Sequence, residues 1–156
     1  MSHIDSSLDA TSTARLPQLV TLLASATRVT AVTNEAGTAI VNIGNARRVV
    51  ALLNVTAAAG AAGDVLDVYI DVSIDGVTWL NAAHFTQVAG NSAAIKHYAV
   101  LDSVAVAATT FNVTADCASG VTKPYLFGTQ IRARHTLVDA GSHGQSVTFG
   151  VTALIQ

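Results

Sequence analysis

The clearest pattern along the chain has a period of two. Across residues 65–74, Val68, Ile70, Val72 and Ile74 alternate with Asp67, Tyr69, Asp71, Ser73 and Asp75, which predicts a half-buried strand whose polar face is solvated. The alternation returns near the C-terminus, where Val147, Phe149, Val151, Ala153 and Ile155 share one face and Ser146, Thr148 and Thr152 the other. Residues 47–56 (RRVVALLNVT) form a nearly continuous run of β-branched residues and Leu, followed by the small-residue loop AAAGAAGD. That order predicts an antiparallel hairpin with the Val65 strand and a flexible tip. Residues 38–43, 78–88, 94–100, 103–114 and 125–138 are weaker strand candidates, with Gly or Asn at nearly every junction. Many short strands without a long 3.6-residue period define an all-β chain, an antiparallel β-sandwich or jelly-roll-like fold. One short N-terminal helix is compatible with this, because Leu16, Leu19, Val20 and Leu23 form a helical stripe behind Pro17.

The residues ahead of that stripe are mainly Ser, Thr, Asp and Ala, with little to bury. They predict a flexible N-terminal arm over residues 1–15 and a single sandwich domain over residues 16–156, a length that can enclose a real core. An arm that orders on a neighbouring subunit would add contact area at an entropic cost.

Composition narrows the partners. Hydrophobic residues make up 51% of the chain and charged residues 12%, about half the charged share of an ordinary soluble domain. The apolar runs are broken well before the ~20 residues of a spanning helix, so no membrane partner is expected. A formal net charge of -2 with eight Lys and Arg gives no basic field for nucleic acid and little self-repulsion against association. Cys117 is the single cysteine, which excludes an internal disulfide and a multi-thiol zinc cluster. The opening MSHIDSSLDATSTAR lacks a basic and then apolar leader, so synthesis in the cytoplasm is expected. The N-x-T matches at Asn54 and Asn112 are then chance.

Candidate chemistry begins with D-x-S-x-D-G at residues 71–76, which matches the start of an EF-hand loop. The bidentate Glu required at the twelfth position is Ala82, and the alternation from Val68 runs on through the segment. A strand ending in an Asp75-Gly76 turn, with Trp79 returning to or beside the core, is the better reading. His3, His84, His97, His135 and His143 show no metal-ligand spacing. His135 shares the alternating face of Ile131, Ala133 and Leu137, which predicts a satisfied core or interface histidine. Cys117 lies in DCASG, which matches no cysteine-hydrolase signature, and a buried, inert thiol is expected. Arg132 and Arg134 share one strand face and Arg47 and Arg48 lie elsewhere; these four make a phosphate or carboxylate site or, more plainly, cross-strand pairs. There is no nucleophile elbow, P-loop or dinucleotide fingerprint. No catalytic, cofactor-binding or metal residue is expected, no cofactor is implied, and the chain reads as a non-enzyme.

Residues 22–90, with LDVYIDVSIDG followed by TW and HFTQV, resemble a group of small structural proteins of tailed bacteriophage virions. The C-terminal pair PYLFGTQIRARHTL and SVTFGVTALIQ is similar to the ending of that group. The resemblance covers roughly residues 22–155, carried mainly by SIDGVTW and FTQV, and implies a virion β-sandwich without catalytic residues. It implies a capsid decoration (cement) protein on the outer head, with the major capsid protein and copies of itself, as a trimer or dimer, for partners. A head-completion or tail component is the nearest alternative. From another class, a carbohydrate-binding module is the runner-up, because S-x-D-G-x-x-W also occurs at strand ends of sugar-binding sandwiches. A cupin-like metalloenzyme with histidines at strand ends comes third.

Overall fold

A computed structural model describes residues 16–37, 40–44, 46–103, 116–123, 128–141 and 144–156. The arm predicted over residues 1–15, nearly all of the strand predicted over 103–114, and His3 and His143 lie outside them. The strands are β1 (Gln18–Arg28), β2 (Val32–Ala36), β3 (Val41–Asn42), β4 (Arg48–Ala59), β5 (Val65–Ser73), β6 (Trp79–His84), β7 (Val88–Ala89), β8 (Ile95–Asp102), β9 (Gln130–Val138) and β10 (Ser146–Ile155). They form two antiparallel sheets, one ordered β1-β10-β4-β8 and the other β2-β9-β5-β6, with β3 also on β9 and β7 on β5. The fold is an all-β sandwich.

The alternations seen in the sequence are the two halves of its core. Val147, Phe149, Val151, Ala153 and Ile155 of β10 and Val49, Ala51, Leu53 and Val55 of β4 face Leu66, Val68, Ile70 and Val72 of β5 and Ile131, Ala133 and Leu137 of β9, all almost fully buried. Each such Val, Leu, Ile or Phe contributes roughly 1.5–3 kcal/mol by leaving water. Ile74 does not continue the β5 pattern: the strand ends at Ser73, and Ile74 is 64% exposed.

Two expectations are corrected. Residues 16–27 form no helix; they are β1, paired to β10 from Gln18↔Ile155 to Arg28↔Val147. Register shifts after Thr21 and Leu23 turn both Leu22 and Leu23 inward, and this irregular spacing is what imitated a helical stripe. The shift is accommodated at Gly150, where a Cβ would meet the Ser25 backbone at 2.9 Å.

Secondly, β4 and β5 are not a hairpin. β4 pairs with β10 and β8, and β5 pairs with β9, β6 and β7 in the other sheet, so the intervening loop crosses the sandwich. Both strands carry a full apolar face, which two sheets stacked face to face can bury and one exposed ribbon cannot. The loop is not a loose tip either. Asp64 is fully buried, with Oδ2 accepting from Ala61 N at 2.7 Å, Oδ1 from Ala140 N at 2.9 Å and its carbonyl from Gly90 N at 2.7 Å.

Candidate functional site

The polar face of β5, expected to be solvated, is buried: Asp67, Asp71 and Ser73 are 9%, 2% and 0% exposed. The neighbouring strands and one loop supply the reason. β9 sets Arg132 opposite Asp71 and Arg134 opposite Tyr69. On the other side β6 sets Asn81 opposite Asp71 and, past a bulge that buries both Ala82 and Ala83, His84 opposite Tyr69. Residues 116–123 then close over this face and along β6, with Cys117 N donating to Asn81 Oδ1 at 2.7 Å, His84 N to the Val121 carbonyl at 2.9 Å and Lys123 N to the Ala82 carbonyl at 2.7 Å.

Asp71 is the centre of the network. Arg134 Nε lies 3.1 and 3.0 Å from its two oxygens, Asn81 Nδ2 lies 3.2 Å from Oδ1, and Arg132 reaches Oδ2 with Nε and Nη2 at 3.4 Å each. Arg134 also donates from Nη1 to Asn34 Oδ1 and from Nη2 to Asp116 Oδ1. Burial opposes its charge, but Asp71 and Asp116 outweigh burial and hold the guanidinium above its ordinary pKa. Asn34 serves Arg134 from a left-handed conformation, φ 55°, that Asn tolerates. The two guanidiniums stack on rings, Arg132 over Trp79 at 4.1 Å and Arg134 over Tyr69 at 4.0 Å, and Tyr69 stacks on His84 at 4.2 Å. Burial, then the Asp67 and Asp116 charges, push the Tyr69 hydroxyl above its usual pKa.

The ladder ends on a histidine and the cysteine. His84 Nε2 meets Asp67 Oδ1 at 2.8 Å and Nδ1 meets the Cys117 carbonyl at 3.0 Å, while Gln87 Nε2 donates to both Asp67 oxygens at 3.0 and 3.1 Å. Cys117 and a histidine are therefore neighbours, which the sequence did not disclose, but the imidazole serves the carbonyl and not the thiol. Cys117 Sγ lies 3.9 Å from the Asn81 carbonyl, is buried, and has its pKa pushed up by burial. That is the environment of a structural thiol, not an activated nucleophile.

The EF-hand letters separate in the same way. Asp71 is committed to the arginines, and Ser73 Oγ bonds Asp75 Oδ1 at 3.1 Å. Asp75 Oδ1 also accepts from Val77 N at 2.9 Å and Thr78 N at 2.6 Å, closing the turn in which Gly76 has φ 77°. The backbone bonds from Thr78 and Val77 hold the Asp75 carboxyl far below the usual carboxylate range. Among the described residues no three His, Cys, Asp or Glu side chains gather to hold a metal.

His135 is in the core, 1% exposed and edge-on to Phe149 at 5.3 Å, but it is not satisfied. Among the described residues neither ring nitrogen has a hydrogen-bond partner of ordinary geometry, the Glu35 backbone interacts with the ring only weakly, and Glu35 Oε2 stands 3.8 Å from Nε2. Of the other arginines, Arg48 pairs with Asp102 at 3.0 Å across exposed β4 and β8, a contact worth little.

The second candidate is the outer face of the four-stranded sheet. Register sets Leu19, Leu154, Val50 and Val100 in one row across all four strands, and Thr21, Thr152, Leu52 and Tyr98 in the next. Leu19 is 72% exposed and Tyr98 74%. An apolar row that is half-buried at Leu154 and Val50 and exposed at its ends, Leu19 and Val100, beside an exposed aromatic, has the composition of a contact surface. Comparison with protein-family models, curated proteins and solved structures returns no match.

Proposed function

We propose that the chain is a non-enzymatic virion structural protein of the tailed-phage capsid-decoration type, made in the host cytoplasm, which docks on the outer surface of the major capsid shell through its four-stranded sheet. The observation that carries this reading is the outward-facing apolar row Leu19, Leu154, Val50 and Val100, exposed at its ends and half-buried in the middle, flanked by Leu52 and Tyr98. Burying it against a shell subunit or another copy removes apolar surface from water at roughly 25 cal/mol per Å² before association costs. The near-neutral net charge of -2 leaves little electrostatic resistance to that contact. The resemblance of SIDGVTW and FTQV to virion proteins supports the same class. In the polar network the ring nitrogens of His84 and the carboxylates of Asp67 and Asp71 already serve structural hydrogen bonds, which suits a scaffold better than a reaction centre.

The test is quantitative mass spectrometry of purified particles together with the double variant Leu52→Lys/Val100→Lys. Copy numbers in the hundreds, and a variant that folds with the wild-type melting temperature yet is lost from particles, are expected. Absence from particles overturns the reading. A handful of copies moves the protein to a head-completion or tail position.

A further inference from the structure

On the opposite outer face, that of the six-stranded sheet, a cleft of about 520 Å³ is lined by Asn34, Asp71, Trp79, Asp116, Arg132 and Arg134 among others. Its volume falls within the range of small-molecule sites. The floor is saturated: Asp71 receives Arg134, Arg132 and Asn81, and all three nitrogens of Arg134 have carboxylate or amide partners. The rim is not. Among the described residues Arg132 Nη1 makes no hydrogen bond, Asp116 uses Oδ1 alone, and the Asn34 side chain uses its oxygen alone. Two donor groups and one acceptor with spare capacity thus border one volume beside a half-buried indole.

The charges decide what kind of ligand fits. Two arginines and two aspartates line the cleft, so its formal charge is balanced. An anion drawn to Arg132 would stand against Asp71 and Asp116, and a cation drawn to Asp116 would stand against both guanidiniums. A neutral polyol escapes both penalties, because each hydroxyl donates to a carboxylate or accepts from a guanidinium as its position requires. The Trp79 ring, braced by Arg132 at 4.1 Å, supplies a rigid apolar surface for the C–H side of a sugar. The geometry points to a binding site for a neutral saccharide of one or two rings, seated against Trp79 and hydrogen-bonded by Arg132, Asp116 and Asn34. The site does not depend on the docking surface, and a chain docked through its four-stranded sheet would turn this cleft outward.

Trp79 is the only tryptophan of the chain, so its emission reports on the cleft directly. The full chain is titrated with glucose, galactose, mannose, N-acetylglucosamine and their disaccharides, by fluorescence and by calorimetry, with inorganic phosphate and a sulfated disaccharide as charged probes. At least one neutral sugar is expected to saturate the signal, and Arg132→Lys and Asp116→Asn to weaken it about tenfold or more. No saturable binding of any neutral sugar up to about 10 mM, tighter binding of a charged probe, or undiminished binding in both variants overturns the assignment. Should a variant melt well below wild type, sugar-induced NMR shifts in the wild-type protein decide: changes at the Trp79 indole N–H and Arg132 Nε–H support the site, and changes confined elsewhere overturn it.

Discussion

Asp71 and Arg134, one strand apart on the face of β5 and β9, form a buried ion pair in which one guanidinium nitrogen lies 3.0 and 3.1 Å from both carboxylate oxygens. Their side chains are 3% and 9% exposed. Removing Asp71 takes from Arg134 and Arg132 the carboxylate they share and leaves Arg134 only Asp116, so Asp71→Leu is expected to cost about 3–5 kcal/mol, whereas replacing both Asp71 and Arg134 by apolar residues of similar volume costs less than the sum of the two single changes. Urea unfolding of Asp71→Leu, Arg134→Met and the double variant checks this. A double variant as unstable as the sum of the singles would show that the pair acts through its surroundings and not through mutual compensation.

This pair also marks how far the sequence could be read. The apolar faces of β5 and β10 were legible because a sandwich buries every second residue, and Val68, Val72, Val147 and Phe149 lie where the period put them. The other face of β5 was misjudged because alternation says which residues point the same way, not what lies above them. Asp67 and Asp71 look solvated until His84 and Asn81 of β6, themselves bonded to Cys117 far along the chain, are set beside them. One signal was present: acids on β5 and the spacing Arg132-x-Arg134 on β9 are complementary once those strands are neighbours. Pairing of neighbours is what one-dimensional periodicity lacks, and the same gap led β4 and β5 to be read as a hairpin.

Cys117 should be slow to react. The residue is 6% exposed, its thiol pKa is raised by burial, and His84 is turned to its carbonyl. Thiolate supply and access both limit alkylation. Maleimide labelling in native buffer is expected to be slower than in urea by about two orders of magnitude or more, since it waits on opening of the covering segment. Rapid native labelling would mean that segment opens freely.

His135 sets an acid limit on stability. Burial lowers its pKa, the nearby Arg28 lowers it further, and Glu35 partly offsets them. The folded state therefore holds His135 neutral at a pH where the unfolded chain has begun to bind a proton. Its effect on stability is absent well above the ordinary histidine pKa of about 6.5 and grows unfavourable as pH falls from there toward the folded value. Melting temperatures of wild type and His135→Phe, measured from pH 8 to pH 5, are expected to diverge on the acid side, with the variant losing less. At neutral pH the variant should match or exceed wild type if Phe fits the site, because two buried nitrogens without a well-formed hydrogen bond among the described residues have been removed. Parallel curves would assign the acid sensitivity to other groups.

Gly150 ties the N-terminal strand to the domain. On β10 it faces the segment where β1 shifts register, and a Cβ there would meet Ser25 Cα and N at 2.9 Å and the Leu23 carbonyl at 3.1 Å. These are backbone atoms, so relief requires β1 itself to move, and overpacking of this kind typically costs about 1–3 kcal/mol. Among the described residues β10 is the sole sheet partner of β1, so the disturbance should fall mainly on β1 and spare the pairing of β4 with β8. Hydrogen exchange of Gly150→Ala is expected to show faster exchange in Gln18–Arg28 with little change in Ile95–Asp102. Because Leu19 belongs to the exposed apolar row, the same variant should also weaken particle incorporation if that row is the docking surface. Uniform loss of protection across both sheets would show instead that β1 is integral to the cooperative core.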